Sequence, residues 1–247
     1  MNEIYRNIAI VIEIENSIKY LRNGLSEIQK ISAENDFYDP TLIYLSNGFE
    51  RLFKSMICLN YKDKNGVFPN YKELIENNNG HDIEFLKNKI EKLCIPIHLP
   101  FAKMDYDIIM NDKIINSICK TLSEYGKKAR YFNLDAILGN DQEFDSKDEW
   151  EKIETIILKD FYGENEYYRQ LGNHNLLDKL YEKSNELLVS RIELFIRAIT
   201  RQFIFGNFSK NSKTFVFQIE SFTDIKDYQI GKTDYRLIKN SERIKRK

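Results

Sequence analysis

The clearest chemical signal in this 247-residue chain is Arg169-Gln170-Leu171-Gly172-Asn173-His174, which sets a guanidinium and an imidazole five positions apart. An arginine grips and neutralises a phosphate in a forked geometry. A histidine titrates near neutrality, so it can take the proton of a ribose 2′-hydroxyl or return one to a leaving 5′-oxygen. The pair suits phosphodiester chemistry without a metal, with His174 as general acid/base and Arg169 stabilising the pentavalent phosphate. By spacing alone the signal is weak, because Gly172-Asn173 also reads as a turn between helices, where polar residues collect.

Other candidates carry a structural reading beside the chemical one. Lys54 stands on an otherwise apolar helix and reads as a snorkelling or ion-paired side chain, with ligand binding as the alternative. His81-Asp82 is similar to the metal dyad of HD-type phosphohydrolases, but no histidine precedes it, and His98 and His174 lack ligand spacing. A helix start, with Asp82 capping the free amides and His81 bonded locally, is the plainer reading, and no metal centre is expected. Asp105 and Asp107 read as capping charges. Arg130-Tyr131 follows a helix C-terminus, where a cation is welcome without any ligand. Arg191, Arg197 and Arg201 fall in one arc of the last helix and read as a solvated face alternating with Glu193, with an RNA groove as the alternative. Gly231-Lys232-Thr233 ends like a phosphate-binding loop, but position 226 is Lys where that loop needs Gly. Serine-nucleophile and dinucleotide signatures are missing, so no cofactor is expected.

These residues need elements to hold them. Ile4, Ile8, Val11, Ile18, Leu21, Leu25 and Ile28 predict one long helix over 3–33. Asp39-Pro40 starts a second, with the stripe Leu42, Leu45, Phe49, Leu52, Phe53 and Met56, which ends in the polar stretch 62–66. A third carries Ile83, Leu86, Ile90 and Leu93 and stops before Pro96 and Pro100. A fourth runs through Ile108, Ile115, Ile118, Leu122 and Tyr125. Ser146 with Glu149 reads as a capping box for a helix through Trp150, Ile153 and Ile157. The last helix carries Leu177, Leu180, Leu187, Leu194 and Ala198 and ends near Gly206. Beyond it Phe215, Phe217 and Ile219 alternate with polar neighbours and Val216, and predict a strand that pairs with a second extended piece near 227–238. The expectation is a mainly α protein: a helical bundle over 1–206, then a small C-terminal β-hairpin and a basic tail over 207–247.

Composition narrows the classes. With 37 Lys+Arg against 38 Asp+Glu, the formal charge of -1 supplies no basic excess for non-specific nucleic-acid binding. Only four Pro and ten Gly argue against a loop-rich β fold. Cys58, Cys94 and Cys119 are solitary and set among apolar residues, which fits buried thiols in a reducing cytoplasm. The N-terminal apolar run is broken by Glu13 and Glu15 and does not resemble a secretion signal. No stretch approaches the roughly 20 apolar residues that span a bilayer. A cytoplasmic protein without a membrane partner is the expectation.

Taken together, residues 42–135 resemble a HEPN domain, the helical-bundle family of toxin–antitoxin pairs, abortive-infection systems and RNA-guided nucleases. Gly48-Phe49-Glu50-Arg51-Leu52-Phe53-Lys54 is similar to the family's helix with E-x-x-x-K near its middle. Gly80-His81-Asp82-Ile83 is similar to its (T/G)HDL entry to the next helix. Ala129-Arg130-Tyr131-Phe132 is similar to its A-R-Y-P, with Phe132 in place of Pro. The resemblance implies a HEPN-like bundle and, in the ribonuclease branch, gives Arg169 and His174 an R-x4-6-H role, with the polar Gln170 after the arginine. One copy of that motif per chain implies a homodimer acting on RNA as a toxin or phage-defence effector. The branch whose A-R-Y-P element is echoed generally lacks R-x4-6-H and implies a non-catalytic scaffold, binding a nucleotide or a partner such as an antitoxin or another defence-system protein. Lys54, His81, Arg130, Tyr131, Gln170 and Asn173 are the candidate ligand contacts.

Overall fold

The computed structural model of the chain describes residues 2–74, 79–94, 98–140 and 144–239. Pro96 and the basic tail beyond Lys239 lie outside the described residues. The described chain is mainly helical. The two leading helices are α1 (Glu3–Ile28) and α2 (Asp39–Asn65). They pack antiparallel at close range, because Gly24 faces Leu45 and Gly48 faces Leu21. A Cβ at Gly24 would stand 2.5 Å from Leu45 Cδ2, and one at Gly48 would stand 2.7 Å from Leu21 Cγ.

The predicted stripe of α1 holds only in part. Ile18, Leu21, Leu25 and Ile28 are buried, together with Ile10 and Ile14, whereas Ile4 and Ile8 are exposed. The first turns of α1 meet the polar end of α2, where Lys62 reaches Glu3 and Asn7. The helix also stops five residues early, in a turn closed by the Ser32–Asn35 bridge. The stripe of α2 is buried throughout, and Gly66 ends the helix in the left-handed region at φ 75°.

After the short α3 (Tyr71–Leu74), α4 (Ile83–Glu91) begins at Asp82, whose carboxylate accepts the Phe85 N–H at 2.9 Å. The single fourth helix of the sequence reading is two: α5 (Pro100–Asn111) and α6 (Lys113–Lys127). Asp112 divides them by accepting the N–H groups of Ile114 and Ile115 at 3.0 and 3.1 Å. A 3-10 turn at Ala129–Tyr131 leads into α7 (Phe132–Ile137). The next helix, α8 (Ser146–Tyr162), is capped by Asp145 rather than by Ser146, since the Asp145 carboxylate takes the Lys147 N–H at 2.8 Å.

Helix α9 (Glu164–Leu171) is followed by a 3-10 turn, His174–Leu176, and then by α10 (Leu177–Phe205), which Gly206 ends. Helix α10 is the axis of the molecule. Its buried Phe195 packs against Phe49 and Phe53 of α2, with ring centroids 5.4 and 6.3 Å away. Its Glu193, expected on a solvated face, is fully buried, and it accepts the Gly231 N–H at 2.6 Å and the Tyr235 hydroxyl.

The expected hairpin is absent from the described residues, which contain no strand. Ser212–Phe215 is a 3-10 turn, Val216–Thr223 is helix α11, and 227–238 holds two more 3-10 turns. The alternation of Phe215, Phe217 and Ile219 competes with a helical spacing of Phe215, Ile219 and Phe222. The second wins: those three are buried against α1 and α10, while Phe217 is 70% exposed. Phe208, Phe215, Ile219, Phe222, Ile225 and Tyr235 belong to the same apolar cluster as α1 and α2. Among the described residues no helix is long and apolar enough to cross a membrane.

Candidate functional site

Arg169 and His174 lie at the far end of the bundle, where α9 packs on α8 and on the start of α10. The Arg169 side chain is 75% exposed and forks onto Glu166, one turn back, through Nε and Nη2 at 2.8 Å each. This pair holds the Glu166 carboxyl below its usual range, with help from Gln170 at 2.9 Å. Gln170 is thereby committed to Glu166. Asn173 caps the following 3-10 turn by accepting the Asn175 N–H at 3.1 Å. His174 is exposed, and its ring hydrogen-bonds to no described residue. The two members of the motif are on the surface, and no contact joins them.

The other candidates do converge. Glu50 of α2 binds Lys54 Nζ at 2.6 Å with one oxygen and lies 3.0 Å from His81 Nδ1 with the other. His81, expected to bond locally, is therefore tied across 31 residues to α2. Asp82 extends the network to α6, accepting from Ser123 Oγ at 2.8 Å and Lys127 Nζ at 3.1 Å besides its capping bond. Burial pulls the Asp82 carboxyl up, but these three donors outweigh it and hold it below its usual value. Gly126 lets α6 come this near, since a Cβ there would stand 3.2 Å from the His81 carbonyl oxygen. Lys54, His81 and Asp82 thus belong to a network of ion pairs and hydrogen bonds that joins α2, α4 and α6. The His81 ring, 70% exposed, turns to solvent.

One turn farther along α6 the chain opens a cavity of about 500 Å³. Its walls come from four places: the approach to α2 (Asp36 to Asp39), the end of α6 with the turn that follows (Tyr125, Arg130, Tyr131), the start of α7 (Phe132 to Leu134) and the start of α8 (Ser146, Lys147). The Arg130 guanidinium lies 5.8 Å from the Tyr125 ring centre, and the Tyr125 hydroxyl reaches Asp39 at 3.5 Å. Burial, with the Asp39 carboxylate beside it, pushes the Tyr125 phenol up to about 12. Lys147 pairs with Asp36 at 2.6 Å and sits 5.7 Å from the Tyr38 ring centre. Phe37 and Tyr131 present largely exposed rings at the mouth. The N-terminus of α8 opens on this space, and Ser146 Oγ lines it without a hydrogen-bond partner in the described structure.

The cavity can offer stacking faces, one fork of guanidinium donors and carboxylate acceptors for hydroxyl groups. Arg130 and Tyr131 were readable in the sequence. Phe37, Asp39, Tyr125 and Lys147 were not: Asp39 reads as a helix cap and Lys147 as one more charge on a helix, and only the packing of α2 against α6 and α8 places them side by side. No group of three or more His, Cys, Asp or Glu side chains among the described residues is placed to hold a metal ion.

Comparison with protein-family models, with curated proteins and with solved structures gave no match. The likeness to HEPN domains rests on the three motifs quoted above.

Proposed function

We propose that this protein is a non-catalytic HEPN-like binding module that takes a nucleotide in the cavity between α2, α6 and α8. The observation that carries the reading is the meeting of Arg130, Tyr131, Tyr125 and Phe37 around one pocket of nucleotide dimensions. A base stacks against Tyr131 and Phe37, the ribose hydroxyls donate to the carboxylates at the start of α2, and Arg130 forks onto phosphate. Calorimetric titration with unlabelled AMP, ADP and ATP tests it. Arg130→Ala should weaken binding about tenfold, because a charge-assisted hydrogen bond to phosphate is lost. A folded wild-type protein that binds none of these nucleotides sinks the reading.

A second reading has one observation of its own. Arg169 and His174 are exposed, as are Tyr168 and Leu171 of α9, a surface on which a second protomer would bring its own copy of the motif. In that arrangement the protein is a metal-independent endoribonuclease, a toxin or phage-defence effector completed by homodimerisation. Incubation with total tRNA in EDTA, beside His174→Ala, separates the two. Cleavage lost in the variant favours the nuclease, and no cleavage by a folded dimer removes it.

A further inference from the structure

The first three turns of α1 carry an apolar face that the described residues leave largely uncovered. Ile4, Tyr5, Ile8 and Ile12 are 68%, 58%, 55% and 50% exposed. At 3.6 residues per turn the four fall within an arc of roughly 100°. That arc lies opposite the side of the helix that buries Ile10, Ile14 and Ser17. Partly covered Ala9 and Val11 extend its edges. The one charge in residues 4–12 is Arg6, and it is engaged away from this face. Its guanidinium donates to the Pro69 carbonyl at 2.7 Å and lies 5.1 Å from the Phe68 ring centre.

The charged candidates of α5 and α10, by contrast, are spent within the fold. Asp105, expected as a capping charge, is buried and accepts from Arg201 Nη1 at 3.3 Å. Arg197, expected on a solvated face, is buried and donates to the Ile225 carbonyl at 3.0 Å and to Asp227 at 2.7 Å. The face of α1 has no such internal answer. It presents roughly 500 Å² of contiguous apolar surface, the size at which a patch marks a contact site. Its ends decide what can cover it. A membrane-surface helix carries lysines and arginines along its rim, whereas Glu3 and Glu15 bound this one.

We propose that two copies of this protein pair through the outer face of α1, antiparallel about a two-fold axis at Ile8. The axis sets Ile8 against the partner's Ile8, Ile4 against the partner's Ile12 and Tyr5 against the partner's Val11, so the apolar face covers itself. It also matches charge. Glu15, half exposed and paired with Lys19 at 2.8 Å, comes to the start of the partner helix, where the positive end of the macrodipole favours a carboxylate. A parallel pairing would instead bring Glu15 beside Glu15. The two faces together remove roughly 1,000 Å² from water, near the lower limit for a specific interface, so the dimer is reversible and of micromolar affinity. This contact uses no residue of the nucleotide cavity or of the Arg169–His174 surface.

Sedimentation velocity of the full chain, from about 1 to about 100 µM, provides the test and should show monomer giving way to dimer. Ile8→Glu, at an exposed position, should weaken dimerisation at least about tenfold with an unchanged melting curve. Tyr168→Glu should leave it as in the wild type, which separates this contact from one through α9. Cysteine cross-linking reads the register. Ile8→Cys should form a disulfide-linked dimer under mild oxidation. Ile12→Cys alone should not, because its two copies stand about 12 Å apart along the axis. A mixture of Ile4→Cys and Ile12→Cys proteins should cross-link. A chain that stays monomeric at about 100 µM, a folded Ile8→Glu protein that pairs like the wild type, or Ile12→Cys linking to itself in preference to Ile8→Cys would overturn the proposal.

Discussion

Two buried carboxylates give the sharpest expectations for single residues. Glu154 on α8 accepts the Tyr38 hydroxyl at 3.0 Å, and burial pushes its carboxyl up to about 7 from an ordinary 4.5. The folded protein therefore holds a proton that the unfolded chain releases between those values. Stability from this group falls as pH rises from 4.5 to 7 and is level above, an effect on the order of 3 kcal/mol. Glu154→Gln keeps an acceptor for Tyr38 and should flatten the loss, seen by comparing urea melts of both proteins at pH 5 and pH 8. Glu193 differs, because it satisfies both Gly231 N–H and the Tyr235 hydroxyl. Glu193→Ala should destabilise the protein by about 3 kcal/mol, measured by the same melts. Neither role could be read from the sequence, where both residues stand among other charges on long helices. Arg130 and Tyr131 could be, because they belong to a short motif. Arg169 and His174 were equally conspicuous, yet the fold ties the first to Glu166 and leaves the ring of the second without a hydrogen bond among the described residues.

At the scale of elements, local signals served well where a single period was available. The stripe of α2, the Asp82 cap of α4 and the Gly206 end of α10 all stand as their residues suggest. Errors came where two periods coexisted or where a polar residue interrupted a stripe. Phe215 to Phe222 satisfies a strand and a helix alike, and only the faces of α1 and α10 choose between them. A direct check follows from that choice. Phe217→Glu should change stability by less than about 0.5 kcal/mol, while Phe222→Ala should cost about 3–4 kcal/mol, both by chemical denaturation. A strand with Phe215, Phe217 and Ile219 on one buried face would give a large loss for Phe217→Glu. Asp112 offers the matching test for the break between α5 and α6. It caps α6 and binds Arg191 at 2.9 Å, so Asp112→Ala should cost about 1–2 kcal/mol.

For the whole molecule, the decisive fact is that the last forty residues finish what the first thirty begin. Arg22 of α1 donates to the Lys239 carbonyl at 3.0 Å, and Gln29 binds the Thr233 carbonyl and the Tyr235 N–H at 2.8 Å each. A chain ended at Gly206 should therefore lose near-UV circular dichroism while it keeps much of its helical far-UV signal, since Ile219, Phe222 and Ile225 would be gone from a shared core. The same ties set a clock on synthesis. At about 5–20 residues per second, the ribosome delivers Tyr235 some ten to forty seconds after Gln29. For that interval the newborn α1–α2 pair carries an apolar flank with nothing yet made to cover it.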